Sequence, residues 1–314
     1  MLARVKEQYA DQVRVVYRHF PLVSIHDKAS LSTQASEAAG AQGKFWEMHD
    51  LLFERQGEWA ALSVEEFQVW VNERAIELGL DEEQFISDML SEENEALAQA
   101  AWDRGVEVGL PGTPFLTVAG DIWPNNLPMS EEYISAIIEL ELLESRQFDE
   151  CPPMDIDPSK AYFATLETEK GDIVLELFAD QAPLAVNNFI FLANQGWYDN
   201  VTFHRVLEGF VAQSGDPTGT GFGGPGYAFS NEITPELNFE EAGILAMANA
   251  GPDSNGSQFF ITYGPAPQLD GGYTIFGRVL SGMEVVEDLK LRDPSQGIGL
   301  PAGDVILGIS IEEK

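Results

Sequence analysis

The chain has 314 residues, 44% of them hydrophobic, with one cysteine and with 17 Lys and Arg against 52 Asp and Glu, a formal charge of −35. That length points to two globular domains, and the charge argues against binding nucleic-acid backbones or anionic membrane surfaces through bulk electrostatics. The single cysteine, Cys151, excludes an intrachain disulfide, a Cys-x-x-Cys redox pair and a cysteine-rich zinc site.

No run of about 18 or more apolar residues is present, and residues 1–7 lack the apolar stretch of a signal peptide. The sequence therefore reads as soluble, with no membrane span and no targeting segment. Residues 13–17 form an extended apolar segment. Ala35, Ala38, Ala39, Phe45, Trp46, His49, Leu52 and Phe53 then fall on one face of a single candidate helix. Ser63 and Glu66 make a capping box ahead of Phe67, Trp70, Val71, Ala75 and Leu78 at helical spacing, with Gly79 as the stop. Asp81 and Gln84 repeat that signal before Phe85 and Met89. A second extended segment follows at 115–118, and Ser130 precedes a helix carrying Ile134, Ile137, Ile138 and Leu142.

Residues 149–160 are rich in Pro and acids and have no apolar period, which is the texture of a linker. Beyond them the sequence changes to short β-rich runs at 164–169, 173–178, 201–207, 210–213, 244–248, 258–262, 273–280 and 305–311, the first two joined as a hairpin. Helical patterns interrupt them at 183–194, with Pro183 in the first turn, and at 283–291. About eight strands with two helices favour a closed or nearly closed barrel with helical plugs. Acidic residues outnumber basic ones on both sides of residue 150, so the negative charge reads as a solvated surface.

Residues 203–216 read Phe-His-Arg-Val-Leu-Glu-Gly-Phe-Val-Ala-Gln-Ser-Gly-Asp. Residues 247–260 read Met-Ala-Asn-Ala-Gly-Pro-Asp-Ser-Asn-Gly-Ser-Gln-Phe-Phe, and residues 269–278 read Leu-Asp-Gly-Gly-Tyr-Thr-Ile-Phe-Gly-Arg. In this order and spacing, across about half of the chain, they resemble the cyclophilin-type peptidyl-prolyl cis-trans isomerases. The resemblance implies an isomerase domain at 161–314, folded as a closed antiparallel eight-stranded β-barrel capped by two helices. It implies Arg205, Phe210, Gln213 and Phe260 as the catalytic set, and Val211, Ala248, Asn249, Gln258, Leu269 and Tyr273 as substrate contacts. No metal or cofactor is implied, and the partners are proline-containing polypeptides.

Elementary chemistry asks for the same residue types. An X-Pro bond has a barrier of about 18–20 kcal/mol because its C–N bond is partly double. At the twisted transition state the prolyl nitrogen regains a localised lone pair, so a donor aimed at that nitrogen stabilises the transition state above either ground state. Arg205, permanently charged and planar, suits that role, and the proline ring needs an apolar slot. His204, adjacent to Arg205 on the strand, reads as structural. The glycine-rich stretch 219–226 lacks a phosphate-binding signature and reads as a loop bordering the groove. Gln268 stands where many cyclophilins have tryptophan, Tyr273 where many have histidine, and Val211 where methionine is common; weak or no cyclosporin binding is expected. The alternative is a non-catalytic, peptide-binding chaperone module.

In the first half, residues 13–22, 44–50 and the Gly-Thr-Pro-Phe at 112–115 resemble a thioredoxin-like domain of the DsbA type with a helical insertion. The resemblance implies a domain at 1–148, a cis peptide before Pro114, and a Cys-x-x-Cys segment that should precede Val13. Its absence from residues 1–12 reads as a domain begun part-way and redox-inactive as it stands. An upstream dithiol would make the molecule part of a thiol-disulfide oxidoreductase fusion, and analogy with DsbA-like domains favours an extracytoplasmic location.

Overall fold

In the computed structural model, which describes residues 1–124, 126–297 and 299–314, the chain divides into two compact units. One is Lys6–Trp123; the other joins Met1–Val5 to Pro124–Lys314. The first helix is α1 (Leu2–Gln8).

Within the Lys6–Trp123 unit, the capping box at Ser63 forms: Ser63 Oγ accepts from Glu66 N at 3.2 Å, and Glu66 Oε2 from Ser63 N at 2.8 Å. The expected single helix over 35–53 is instead two, α2 (Ala29–Ala41) and α3 (Phe45–Glu54). Gly43, at φ +76°, breaks the helix between them, a conformation that costs glycine little. A short turn of helix, α4 (Gln56–Trp59), leads to α5 (Val64–Glu77) and α6 (Glu82–Met89). Ala35, Ala38, Ala39, Met48, Leu52, Phe67, Val71, Phe85 and Met89 close into one core, in which fully burying a large apolar side chain contributes about 1.5–3 kcal/mol. The 16-residue α7 (Glu92–Glu107) was not expected. It buries only Ala98 and Gly105, so it has no apolar stripe to read, although Ser91 as N-cap and Glu92, Glu93 and Glu95 in the first turn announce it.

The segment 115–118 yields β1 (Thr117–Val118), paired antiparallel with β2 (Asp121–Ile122). Residues 13–17 carry no ladder among the described residues. The Thr113-Pro114 bond is cis, as the resemblance implies.

The second unit begins earlier than the sequence suggested. Helix α8 (Glu131–Leu143) sends Leu143 into the core of the Pro124–Lys314 unit. The linker expected at 149–160 is hydrogen-bonded to the same unit: Asn187 Oδ1 accepts from Asp155 N at 2.8 Å, and Ala228 O from the Cys151 thiol at 3.4 Å. Ile156, backbone polar groups and the Cys151 thiol hold it there, which a search for apolar period does not detect.

The hairpin of β3 (Tyr162–Thr168) and β4 (Gly171–Leu177) turns through Glu169 and Lys170. After α9 (Pro183–Asn194) come β5 (Val201–Thr202), β6 (Arg205–Leu207), β7 (Val211–Ser214), β8 (Ile244–Met247), β9 (Phe259–Thr262) and β10 (Ile275–Ser281). The short α10 (Met283–Glu287) and β11 (Val305–Glu313) complete the chain. Nine strand segments make one curled antiparallel sheet in the order β5-β11-β3-β4-β10-β8-β9-β7-β6. Among the described residues the ladders give nine segments where eight strands are expected. Residues 201–207, read as one strand, are two, interrupted at Phe203 and His204. Their halves lie at opposite ends of that order but only two residues apart in the chain, and Phe203 N donates to Asp304 O at 2.9 Å just ahead of β11, so the curl brings the ends of the sheet together. Inside the curl, Leu166, Ile173, Leu175, Phe189, Tyr198, Phe259 and Phe276 form the main core.

Candidate active site

Strand register assembles the site. Arg205 on β6 lies directly opposite Gln213 on β7, Gln213 opposite Phe260 on β9, and Phe260 opposite Ala246 on β8. Residues paired in this way share a face, so one row across four strands presents a cation, an amide, an aromatic ring and a small residue to the same side. Val211, two positions from Gln213, shares that face because side chains alternate along a strand.

Beside this row is a second apolar cluster, separate from the main core. Val211, Phe239, Ala246, Phe260, Ala266 and Ile275 are buried in it, and Phe210, Ala248, Leu269 and Tyr273 pack against it half-buried. Phe260 is held by Phe239, stacked at 5.9 Å between ring centroids, and by Tyr273, edge-on at 5.5 Å. The result is a half-buried apolar surface over a buried floor. Sequence reasoning missed Phe239, Ala246, Ala266 and Ile275, which form that floor; the apolar residues opposite Phe260 in the β8 run were the available clue.

The polar edge is a hydrogen-bonded row. Arg205 Nη1 donates to Gln213 Oε1 at 3.1 Å, and Gln213 Nε2 donates to Gln258 Oε1 at 3.0 Å. The Arg205 guanidinium also lies 5.7 Å from the centre of the Phe210 ring, which limits its tilt. Asn249 belongs to the rim, where its amide donates to Gly272 O at 3.0 Å and its oxygen accepts from Gly251 N at 3.2 Å. These bonds tie its side chain to its own turn and to the loop at Gly272. Gln268 is exposed, on the short turn that carries Leu269.

His204 turns inward beneath the site, with 2% of its surface exposed. Among the described residues neither ring nitrogen has a partner in hydrogen-bond geometry, although the nearby Gln258 side chain favours the protonated form. Burial lowers its pKa to about 4; Asp216 partly offsets this, while the charges of Arg292 and Arg205 add to it. The imidazole is therefore neutral near pH 7 and packs as an apolar ring. Its backbone is clamped by Arg292, whose guanidinium donates to His204 O and whose main chain pairs with Val206 in both directions at 2.7 and 2.9 Å. Among the described residues no cluster of His, Cys, Asp and Glu could hold a metal ion, and no helix is long and apolar enough to cross a membrane.

Comparison with known proteins places each half. Residues 163–306 match the model of the cyclophilin type peptidyl-prolyl cis-trans isomerase/CLD family, and residues 1–139 match a thioredoxin model. Peptidyl-prolyl cis-trans isomerase cypE of Dictyostelium discoideum is 56% identical over 129 residues, which are 40% of this chain and 83% of that protein. Peptidyl-prolyl cis-trans isomerase-like 1 of Homo sapiens is 52% identical over 138 residues, 43% of this chain and 81% of the relative. A solved cyclophilin type peptidyl-prolyl cis-trans isomerase of Cryptosporidium parvum, in the presence of the dipeptide Ala-Pro, is 41% identical, covering 48% of this chain and 99% of that one with a TM-score of 0.44.

Proposed function

The chain belongs to the cyclophilin-type peptidyl-prolyl cis-trans isomerases, carries a thioredoxin-like region ahead of the isomerase domain, and we propose that Arg205 and the apolar depression beside it perform the turnover. The substrate is a proline-containing polypeptide laid along the Arg205–Gln213 edge. The observation that supports this most directly is the row of Arg205, Gln213 and Phe260 on one sheet face.

The proline ring occupies the depression lined by Phe210, Val211, Phe260 and Leu269, where apolar walls hold the ring while the preceding carbonyl swings. As the amide twists, conjugation fails and electron density returns to the prolyl nitrogen. Arg205 donates to that lone pair, which exists only near the transition state, so the interaction lowers the barrier without tightening the ground state. A millionfold acceleration needs about 8 kcal/mol, within reach of one charge-assisted donor together with positioning and desolvation. No bond is made or broken in the cycle, and no proton, metal or cofactor is consumed.

Gln213 has two tasks that one amide can combine: its oxygen holds Arg205, and its place on the edge lets it meet the substrate backbone. A site that reads one ring and a stretch of main chain accepts many sequences. The thioredoxin-like unit, Lys6–Trp123, holds no cysteine among its residues, and thiol exchange requires an attacking thiolate. The test is an NMR-exchange or protease-coupled assay on a proline tetrapeptide. Exchange that accelerates in proportion to protein concentration supports turnover; tight peptide binding without acceleration would make the groove a chaperone module.

A further inference from the structure

Arg205 can stabilise one transition state only if its guanidinium is held in one orientation, and the hydrogen bonds that hold it continue well beyond the groove. We propose that Asp216, a buried carboxylate outside the groove, is a positioning residue for the isomerisation, acting through the loop 218–223 and the Gln258 amide on Gln213 and Arg205. This rests on the reading of Arg205 as the transition-state donor.

Asp216 is fully buried. Its Oδ1 accepts from Thr218 N at 2.8 Å and Thr218 Oγ1 at 2.7 Å. Its Oδ2 accepts from Gly221 N at 2.6 Å, Gly223 N at 3.1 Å and Thr220 Oγ1 at 3.2 Å. A buried carboxylate with that many donors fixes the chain that supplies them. Gly223 is part of the device: a Cβ there would sit 2.1 Å from Asp216 Oδ1, so only glycine lets its amide approach.

The loop so fixed presents two carbonyls to one side chain. Gln258 Nε2 donates to Gly221 O at 3.0 Å and to Gly223 O at 2.9 Å. Its oxygen is left for Gln213 Nε2, and the oxygen of Gln213 for Arg205 Nη1. The direction of the row is set at both ends. Carbonyls only accept and a guanidinium only donates, so flipping either glutamine would oppose like groups and break a bond on each side. Gln258 therefore acts through Gln213 as well as lining the groove. Without the Asp216 carboxylate the loop amides lose their common acceptor, the two carbonyls drift, and the row loses its direction at its root.

The test is a double-mutant cycle in the full chain, with kcat and KM measured on a proline tetrapeptide by NMR exchange. Asp216→Asn and Gln258→Met are each expected to lower kcat about tenfold, with KM changed less than twofold in Asp216→Asn, whose site lies outside the groove. The double variant is expected to fall no further than the worse single one, and neither change to matter once Arg205 is alanine. A packing role alone would instead multiply the two effects. If Asp216→Asn does not fold, Thr220→Val, which removes one donor to Oδ2, takes its place in the cycle. Multiplicative effects, or kcat within twofold of wild type in folded single variants, overturn the proposal. A folded Arg205→Ala variant with wild-type turnover would overturn the underlying reading itself, so the two failures are distinguishable.

Discussion

Arg205 Nη1 donates to Gln213 Oε1 at 3.1 Å, and the same two residues face each other directly in the register of β6 and β7. Backbone pairing therefore brings the two side chains side by side before any rotamer is chosen. In the same geometry the guanidinium lies 5.7 Å from the centre of the Phe210 ring, so Arg205 is held on two sides.

Burial of His204 predicts an acid limb in the stability of the isomerase unit. Its folded pKa of about 4 lies below the unfolded value, so the unfolded state binds more protons between about pH 6.5 and 4. The contribution is fully present above about pH 6.5 and is lost as pH falls through 4, a change of at most about 3 kcal/mol. Urea titrations of wild type and His204→Leu across that range should show wild type losing stability relative to the variant as pH falls. A gap independent of pH would contradict a neutral, unpartnered imidazole.

Leu143 predicts where the isomerase unit begins. It lies on α8, ahead of the sequence-derived boundary at 148, yet is 4% exposed within that unit's core. Leu143→Ala should lower the stability of the isomerase unit by about 2 kcal/mol or more, read as a lower denaturant midpoint with unchanged slope. An unchanged midpoint would return the boundary to residue 148.

Gln268 predicts a weak response to cyclosporin. The amide is exposed on the turn that carries Leu269 and offers neither the flat apolar face nor the N–H of an indole. Wild type should show no nanomolar inhibition in the tetrapeptide assay, and Gln268→Trp should tighten inhibition at least tenfold. Nanomolar inhibition of the wild type would refute this account of the rim.

Much of this architecture was legible in the sequence because its signals are local. The β3–β4 hairpin, the helix opening at Pro183 and the Ser63 capping box depend on residues a few positions apart. The helix at 92–107 was not legible, since a helix that buries only Ala98 and Gly105 has no stripe. The break at Gly43 was overlooked because the apolar residues on either side kept helical spacing. In the site, Arg205, Gln213 and Phe260 stood out by motif. Phe239 and Ile275 did not, because a loop residue and a strand residue meet in the slot only once distant segments fold together. Asp216 was legible only as the last residue of a motif; its hold on the loop is a property of burial and geometry.

The central claim is that one guanidinium, held by Gln213, supplies about 3–4 of the roughly 8 kcal/mol of transition-state stabilisation. It is tested most directly by kcat/KM of Arg205→Ala on a proline tetrapeptide, with the fold verified by near-UV circular dichroism. Loss of a preorganised donor to the reacting centre should lower kcat/KM by about a hundred- to a thousandfold in a folded protein. A folded Arg205→Ala variant that retains turnover within about threefold of wild type, less than about 0.7 kcal/mol on the barrier, would contradict the account.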